Sequence, residues 1–336
     1  MELFGNGDMK QQVIVTGATG FLGEELVRFL HEKNWKILAL GRNKKKLLSL
    51  NQLGIQTQTV SLENFNPEIT DFKHIDIVFH CAAFSSAWGS EKDFEKVNVR
   101  GTQNVVEWCN RHAVKRLVYI SSTSVYFDFT DSVNIDERKK LPEHFVNAYA
   151  RSKYCAEQAI KNSATVNLET VVLRPRGIIG KGDSAILPRV LKVMRKGWFP
   201  LLKKGDALVD LTHVKNVVQA VYLASIAQDV SGGIFNISNQ EPLSVRELLI
   251  RIIKHLPIKV KLLHLNYSMI LLIAKMLEYF ASRFNLKEPL LTVYGIGLLS
   301  YSQTLNINQA KERLGYIPNI CDYSIDEAIK SYFDED

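Results

Sequence analysis

The sequence predicts an α/β protein built on a doubly wound parallel sheet, with a smaller lobe appended in its C-terminal half. Three observations carry this. Short apolar, β-rich runs alternate with helix-period segments through the first half, the pattern of βαβ units around a parallel sheet. Strings such as DIVFHCAA are apolar almost throughout, as in strands covered on both faces. After LRPRGIIGKGD the alternation breaks, and glycine and proline punctuate a stretch of mixed strands and helices.

Taken in order, strands are expected over 13–16, 37–40, 77–80, 117–121 and 170–173, with helices over 21–33, 94–111 and 148–163. Residues 1–11 read as a mobile leader, 12–176 as the main sheet domain, and 177–336 mainly as the smaller lobe. Residues 209–238 are expected to return to the main domain. The most apolar later stretch, 267–284, contains Lys275, Glu278 and Arg283. It reads as an amphipathic cap helix packed on the protein rather than a span, with membrane-surface contact as the lesser alternative.

The chain has 336 residues, 46% of them hydrophobic and 23% charged, enough for a sizeable core. Its formal charge of +7 suits nucleic acid, an anionic membrane or a phosphorylated cofactor and does not choose among them. Basic residues are not interleaved with a recognition module, so no nucleic-acid partner is expected. Cys81, Cys109, Cys155 and Cys321 are widely spaced and form no CxxC, so reduced, buried thiols and a cytoplasmic location are expected. The N-terminus lacks an apolar core of signal-peptide length. None of the eight histidines has metal-ligand spacing to acidic or cysteine neighbours, and no metal is expected.

VIVTGATGFLGEELVRFL sets Gly17, Gly20 and Gly23 between a strand and a helix. Such a turn lets backbone approach a pyrophosphate at a helix N-terminus. Its GxxGxxG spacing is equally that of a tight connection, and position in the first βαβ unit favours the ligand. At the end of the second strand, ILALGRNKKKL has Gly41 where a ribose-binding carboxylate commonly stands, then Arg42 with Lys44 and Lys45. This composition favours NADP(H) over NAD(H), Arg42 meeting the 2′-phosphate.

NAYARSK places Tyr149 four residues before Lys153, on one face of a helix. The earlier strand LVYISSTSVY ends in hydroxyl residues beyond a strand C-terminus, where open parallel sheets bind ligands. Together these parts describe carbonyl chemistry. Neutral Tyr149 would donate a proton, Lys153 would hold the nicotinamide ribose and ease ionisation of Tyr149, and Ser122 would bond the substrate oxygen. Ser121, Thr123 and Ser124 are read as strand-end hydrogen-bonding groups, Tyr126 and Tyr154 as packing groups.

The ordered set TGATGFLG, HCAA, VNVRGTQNVVEWC, Ser/YxxxK, LRPRGIIG and GYIPNICDYSIDEAI resembles the extended short-chain dehydrogenase/reductase family over residues 11–332. The resemblance implies a Rossmann fold with a smaller C-terminal substrate lobe. It implies Ser122, Tyr149 and Lys153 as catalytic residues, with Asn98 a fourth. At the dinucleotide it implies Gly17, Thr19, Gly20, Phe21, Leu22 and Gly23, then Ser61, Leu62, Ala82, Ala83 and Pro175. Ser61 departs from the family's pattern, in which many members carry an acidic residue at the adenine. A homodimer through helices 94–111 and 148–163 is also implied.

Nucleotide-sugar members usually carry an Arg before the motif that reads DLTHVKN here, and this chain has Val209. The neighbouring strings look more like 3β-hydroxysteroid dehydrogenases and 2-alkyl-3-oxoalkanoate reductases. An NADP(H)-dependent oxidoreductase acting on a small hydrophobic ketone or secondary alcohol is therefore expected, ahead of a nucleotide-sugar epimerase or dehydratase and of a non-catalytic dinucleotide sensor. Phe84 and Trp88 are candidate substrate-pocket walls, as are Trp198 and Phe199, although core packing is the commoner fate of such rings. His213 is expected to be structural.

Overall fold

A computed structural model of the chain describes residues 11–284 and 286–334. The leader expected at 1–11 lies, Gln11 apart, outside the described residues. The first unit comprises β1 (Gln12–Thr16), α1 (Phe21–Glu32), β2 (Lys36–Gly41), α2 (Lys44–Asn51) and β3 (Gln56–Thr59). Next come β4 (Ile77–His80), α3 (Glu91–Phe94), a π-helical turn (Glu95–Arg100), α4 (Gly101–Arg111), β5 (Arg116–Ile120), β6 (Ser132–Ile135), α5 (Ala148–Ser163) and β7 (Glu169–Pro175). The helix expected as one piece over 94–111 is thus wound in three parts.

Beyond β7 lie β8 (Ile178–Ile179), α6 (Leu187–Met194), β9 (Trp198–Leu201), β10 (Leu208–Val209), β11 (Thr212–His213), α7 (Val214–Ile226) and β12 (Gly233–Ile237). The chain continues through β13 (Leu243–Ser244), α8 (Val245–Ile253), β14 (Lys261–His264), α9 (Tyr267–Arg283) and α10 (Val293–Leu298). It closes with β15 (Gln303–Leu305), α11 (Asn308–Leu314) and α12 (Ile325–Phe333).

Seven strands form the main sheet in the order β12-β7-β5-β4-β1-β2-β3, every neighbouring pair parallel. The strands are apolar because both faces are covered. In β1, Val13 and Val15 join the core shared with α1 and α7, while Ile14 joins the opposite core against α4. The fold is the Rossmann arrangement with a smaller C-terminal lobe, as the alternation predicted. The lobe has its own four-stranded sheet, β13-β10-β15-β6, two strand pairs, and a separate core.

Helix α9 buries Ile270, Ala274 and Ala281 and leaves Met269, Leu272, Met276, Tyr279 and Phe280 exposed. It packs on α10 through the first face. No helix among the described residues is long and apolar enough to cross a membrane. All four cysteines are free; Cys109 is buried, whereas Cys321 is exposed, contrary to the expectation of four buried thiols. The loop preceding α12 leaves it at the surface.

Candidate active site

The strand order reverses between β1 and β4, so the loops leaving their C-terminal ends diverge and open a crevice. Gly17 leaves β1 with φ +70°, and a Cβ there would come within 2.7 Å of the Ala82 backbone. Only glycine lets the loops pass so closely. Thr16 Oγ1 joins them, accepting from the Ala82 N–H at 3.2 Å. Helix α1 opens next, and its N-cap, Gly20, supplies no side-chain acceptor for the first-turn N–H groups. Those donors, with the helix dipole behind them, fit the pyrophosphate of a dinucleotide.

Gly41 ends β2, and a Cβ there would sit 2.6 Å from the Thr19 side chain, which fills the place of a ribose-binding carboxylate. Arg42 follows, exposed and without an ion pair among the described residues. Asn43 caps α2, its Oδ1 accepting from the Lys46 N–H at 3.2 Å, so Lys44 and Lys45 stand on the first turn. At the adenine end, Ser61 Oγ accepts from the Glu63 N–H at 3.3 Å, and Asn104 Nδ2 donates to the Leu62 carbonyl at 2.8 Å.

These loops and the ends of β4, β5 and β7 surround a cavity of about 540 Å³. Of the catalytic and dinucleotide-binding residues expected from the sequence, all but Asn98 line it. Asn147 caps α5, its Oδ1 accepting from the Ala150 N–H at 2.8 Å. That cap sets Tyr149 in the first turn and Lys153 one turn further along the same face. Tyr149 and Ser122 face the same cavity, and the Ser122 hydroxyl eases ionisation of the Tyr149 phenol. Ser122 is itself held by the short 3₁₀ turn Thr123–Tyr126, its Oγ accepting from the Ser124 N–H at 3.2 Å.

Lys153 is only 3% exposed. Its ammonium donates to the Ile120 carbonyl at 2.7 Å and to the Tyr119 hydroxyl at 3.3 Å, over the face of the Tyr119 ring. Burial lowers its pKa to about 8, against opposing pulls from Glu157 and Cys81. Burial pushes the Tyr149 phenol up to about 12, the Ser122 hydroxyl opposing this and Tyr294 adding to it. The Lys153 ammonium is thus engaged by Ile120 and Tyr119 at the floor of the cavity, one turn from Tyr149.

Asn98 stands behind the cavity, in the π-helical turn. Its Oδ1 accepts from the Phe84 N–H at 2.7 Å, and its Nδ2 donates to the Phe84 carbonyl at 3.2 Å and to Ser152 Oγ at 2.9 Å. It ties the loop after β4 to α5. Phe84 and Trp88 do not line the cavity. The Phe84 ring packs 4.8 Å from Phe94, which packs in turn against Tyr149 at 6.2 Å, so these rings back the phenol instead of walling a pocket. Phe199 is buried in the lobe core on β9, and Trp198 lies on the same strand. His213 Nε2 meets Glu327 at 2.5 Å and is structural.

Four contributors escaped the sequence reading. His80 bridges Thr16 Oγ1 at 2.7 Å and Thr102 Oγ1 at 3.0 Å, and burial, reinforced by Lys153, lowers its pKa to about 3. Tyr119 holds Lys153. Tyr294, on α10, and Arg176, just past β7, line the lobe side of the cavity. HCAA and LRPRG displayed His80 and Arg176, but nothing local distinguished them from strand-end residues; Tyr294 sits between Val293 and Gly295 in a mostly apolar run.

A glycine cradle at a switch point and a Ser-Tyr-Lys set facing one cavity define a dinucleotide-dependent enzyme acting on a carbon–oxygen bond. The chain belongs to the NAD dependent epimerase/dehydratase family, whose model matches residues 13–238, and is an oxidoreductase of the extended short-chain dehydrogenase/reductase type. It is 35% identical over 329 residues to the uncharacterized protein YbjS of Escherichia coli, covering 95% of this chain and 96% of that one. It is 31% identical over 326 residues to a 2-alkyl-3-oxoalkanoate reductase of Stenotrophomonas maltophilia, covering 95% and 97%. Among solved structures, a UDP-glucuronic acid 4-epimerase from Bacillus cereus in complex with NAD shares the fold with a TM-score of 0.74 at 19% identity, covering 96% and 98%.

Proposed function

We propose that this protein interconverts a hydrophobic ketone and its secondary alcohol, with NADP(H) as the preferred dinucleotide. The observation that carries the reading is that Ser122, Tyr149 and Lys153 line one cavity together with the glycine turn Gly17–Gly23. When bound, the dinucleotide supplies the hydride. Ser122 and Tyr149 bond the substrate oxygen as negative charge grows on it, and Tyr149 then gives up its proton to complete the alcohol.

The reductase named above acts on a 3-oxo compound, which supports a ketone here. Val209 supports the same choice over a nucleotide sugar: it is buried in the lobe core and contributes nothing to the cavity. A substrate panel tests the reading. Hydrophobic 3-oxo compounds should consume NADPH mole for mole as the secondary alcohol appears. Turnover of a UDP-sugar without net loss of NADPH would replace this function with epimerisation.

The preference for NADP(H) rests on Arg42 and on Thr19 filling the carboxylate position. A charge-assisted hydrogen bond is worth about 1.5–3 kcal/mol, roughly 10- to 100-fold in affinity. Arg42→Ala is expected to weaken NADPH binding by about that factor and to leave NADH binding nearly unchanged, as read by nicotinamide fluorescence titration. Equal weakening of both dinucleotides would mean that Arg42 does not meet the 2′-phosphate.

A further inference from the structure

Arg176 is 7% exposed and forms part of the cavity wall immediately after β7. Its backbone is well tied: the N–H donates to the Ile237 carbonyl at 3.0 Å, and the carbonyl accepts from Thr212 Oγ1 at 2.5 Å. Its guanidinium is not. Among the described residues it makes no side-chain hydrogen bond or ion pair, and Nε is sealed from solvent without a partner. Arg174, two residues earlier, shows what the fold does with a structural arginine. There the guanidinium donates to both Glu157 oxygens and to the Tyr126 hydroxyl.

The titratable groups that bear on Arg176 are Tyr294 and Asp210. Asp210 does not pair with it; one carboxylate oxygen accepts from the Leu305 N–H at 3.0 Å, and the other has no partner. Tyr294 lines the same cavity as both Arg176 and the Tyr149 phenol. A guanidinium keeps its proton throughout the physiological range, so withdrawing it from water without a partner is costly. Such a group in a cleft is the mark of a site completed by a ligand.

The ligand group must be an anion, and a planar fork of N–H donors matches a carboxylate in two parallel bonds. The pyrophosphate of the dinucleotide is accounted for by the free N–H groups at the start of α1. We propose that Arg176 binds a carboxylate on the substrate, so that the ketone presented to Tyr149 belongs to a keto acid. This rests on the ketone reading above and adds the recognition element. In the reductive step the carbonyl carbon gains the hydride and the oxygen gains the Tyr149 proton, NADPH becoming NADP⁺. The carboxylate is unchanged throughout.

The test uses the full chain with NADP⁺ and three stable alcohols: 3-hydroxydecanoate, its methyl ester and 2-undecanol. The wild type should favour the acid over both neutral alcohols by about 100-fold in kcat/KM, the worth of one charge-assisted pair. Arg176→Gln should erase that preference, lowering kcat/KM for the acid far more than for the ester. Arg176→Lys should keep part of it. Removing an unpartnered buried charge should also leave the melting temperature equal or higher, whereas a structural arginine would lower it. Neutral alcohols turned over as well as the acid, or acid and ester falling together in Arg176→Gln, would overturn the carboxylate site while the ketone reading stands. Oxidation of none of the three, with turnover of a UDP-sugar, would overturn both.

Discussion

Tyr149→Phe is expected to lower kcat for ketone reduction by about 10²- to 10⁴-fold, the range for removal of a positioned general acid. NADPH affinity should stay within about twofold, because the ring remains packed on Phe94 and only the hydroxyl is lost. The wild-type pH profile checks the same assignment. Tyr149, at about 12, keeps its proton over the working range, and His80, at about 3, stays neutral. Lys153, at about 8, loses its charge as the pH rises. Hence kcat/KM should be level on the acid side, show no step near pH 6.5, and fall above about pH 8. A limb near 6.5 would point to a histidine in the reaction, and an unimpaired Phe variant would remove the phenol from it.

The second large effect is on stability. Glu157 lies two turns beyond Tyr149 on the buried face of α5 and is 4% exposed. It accepts from Arg174 Nε at 2.9 Å and from a second Arg174 nitrogen, and Ser121 donates to it as well. Arg174 continues to Tyr126 at 2.6 Å, and Tyr126 donates to Asn236 at 2.9 Å. The network fastens α5 to the ends of β5, β7 and β12. Glu157→Gln leaves the guanidinium buried with its counter-charge gone, and breaking such a pair from one side costs about 3–5 kcal/mol. Chemical denaturation should register that loss, with a lower melting temperature. A variant as stable as the wild type would mean that water or another acceptor compensates Arg174.

The order of elements was legible where local pattern and burial agree. Strands β1, β4 and β5 are apolar runs because the sheet is covered on both faces, and the Gly17 turn lies between two such signals. Tyr149 and Lys153 were legible as a pair because helix geometry alone puts them on one face. β3, with the sequence QTQT, escaped notice because it is an edge strand whose side chains are only partly buried. The π-helical turn has no compositional mark, since it depends on where Asn98 and Thr102 find their partners. Tyr294 and Arg176 share one cavity wall only through tertiary folding, since more than a hundred residues separate them in sequence. The upward push of burial on the Tyr149 phenol is likewise invisible in a four-residue spacing.

The last strand of the main sheet, β12, is made after β8 to β11 have already left for the lobe, and β6 from the first half lies beside β15 near the other end of the chain. Synthesis from the N-terminus therefore delivers six strands with the apolar margin of β7 uncovered until Ile237 emerges, and an open strand margin invites wrong pairing. Cutting the gene after residue 176 would reproduce that half-finished intermediate permanently. A fragment ending at 238 would have its seventh strand and would be the shorter piece worth trying to express.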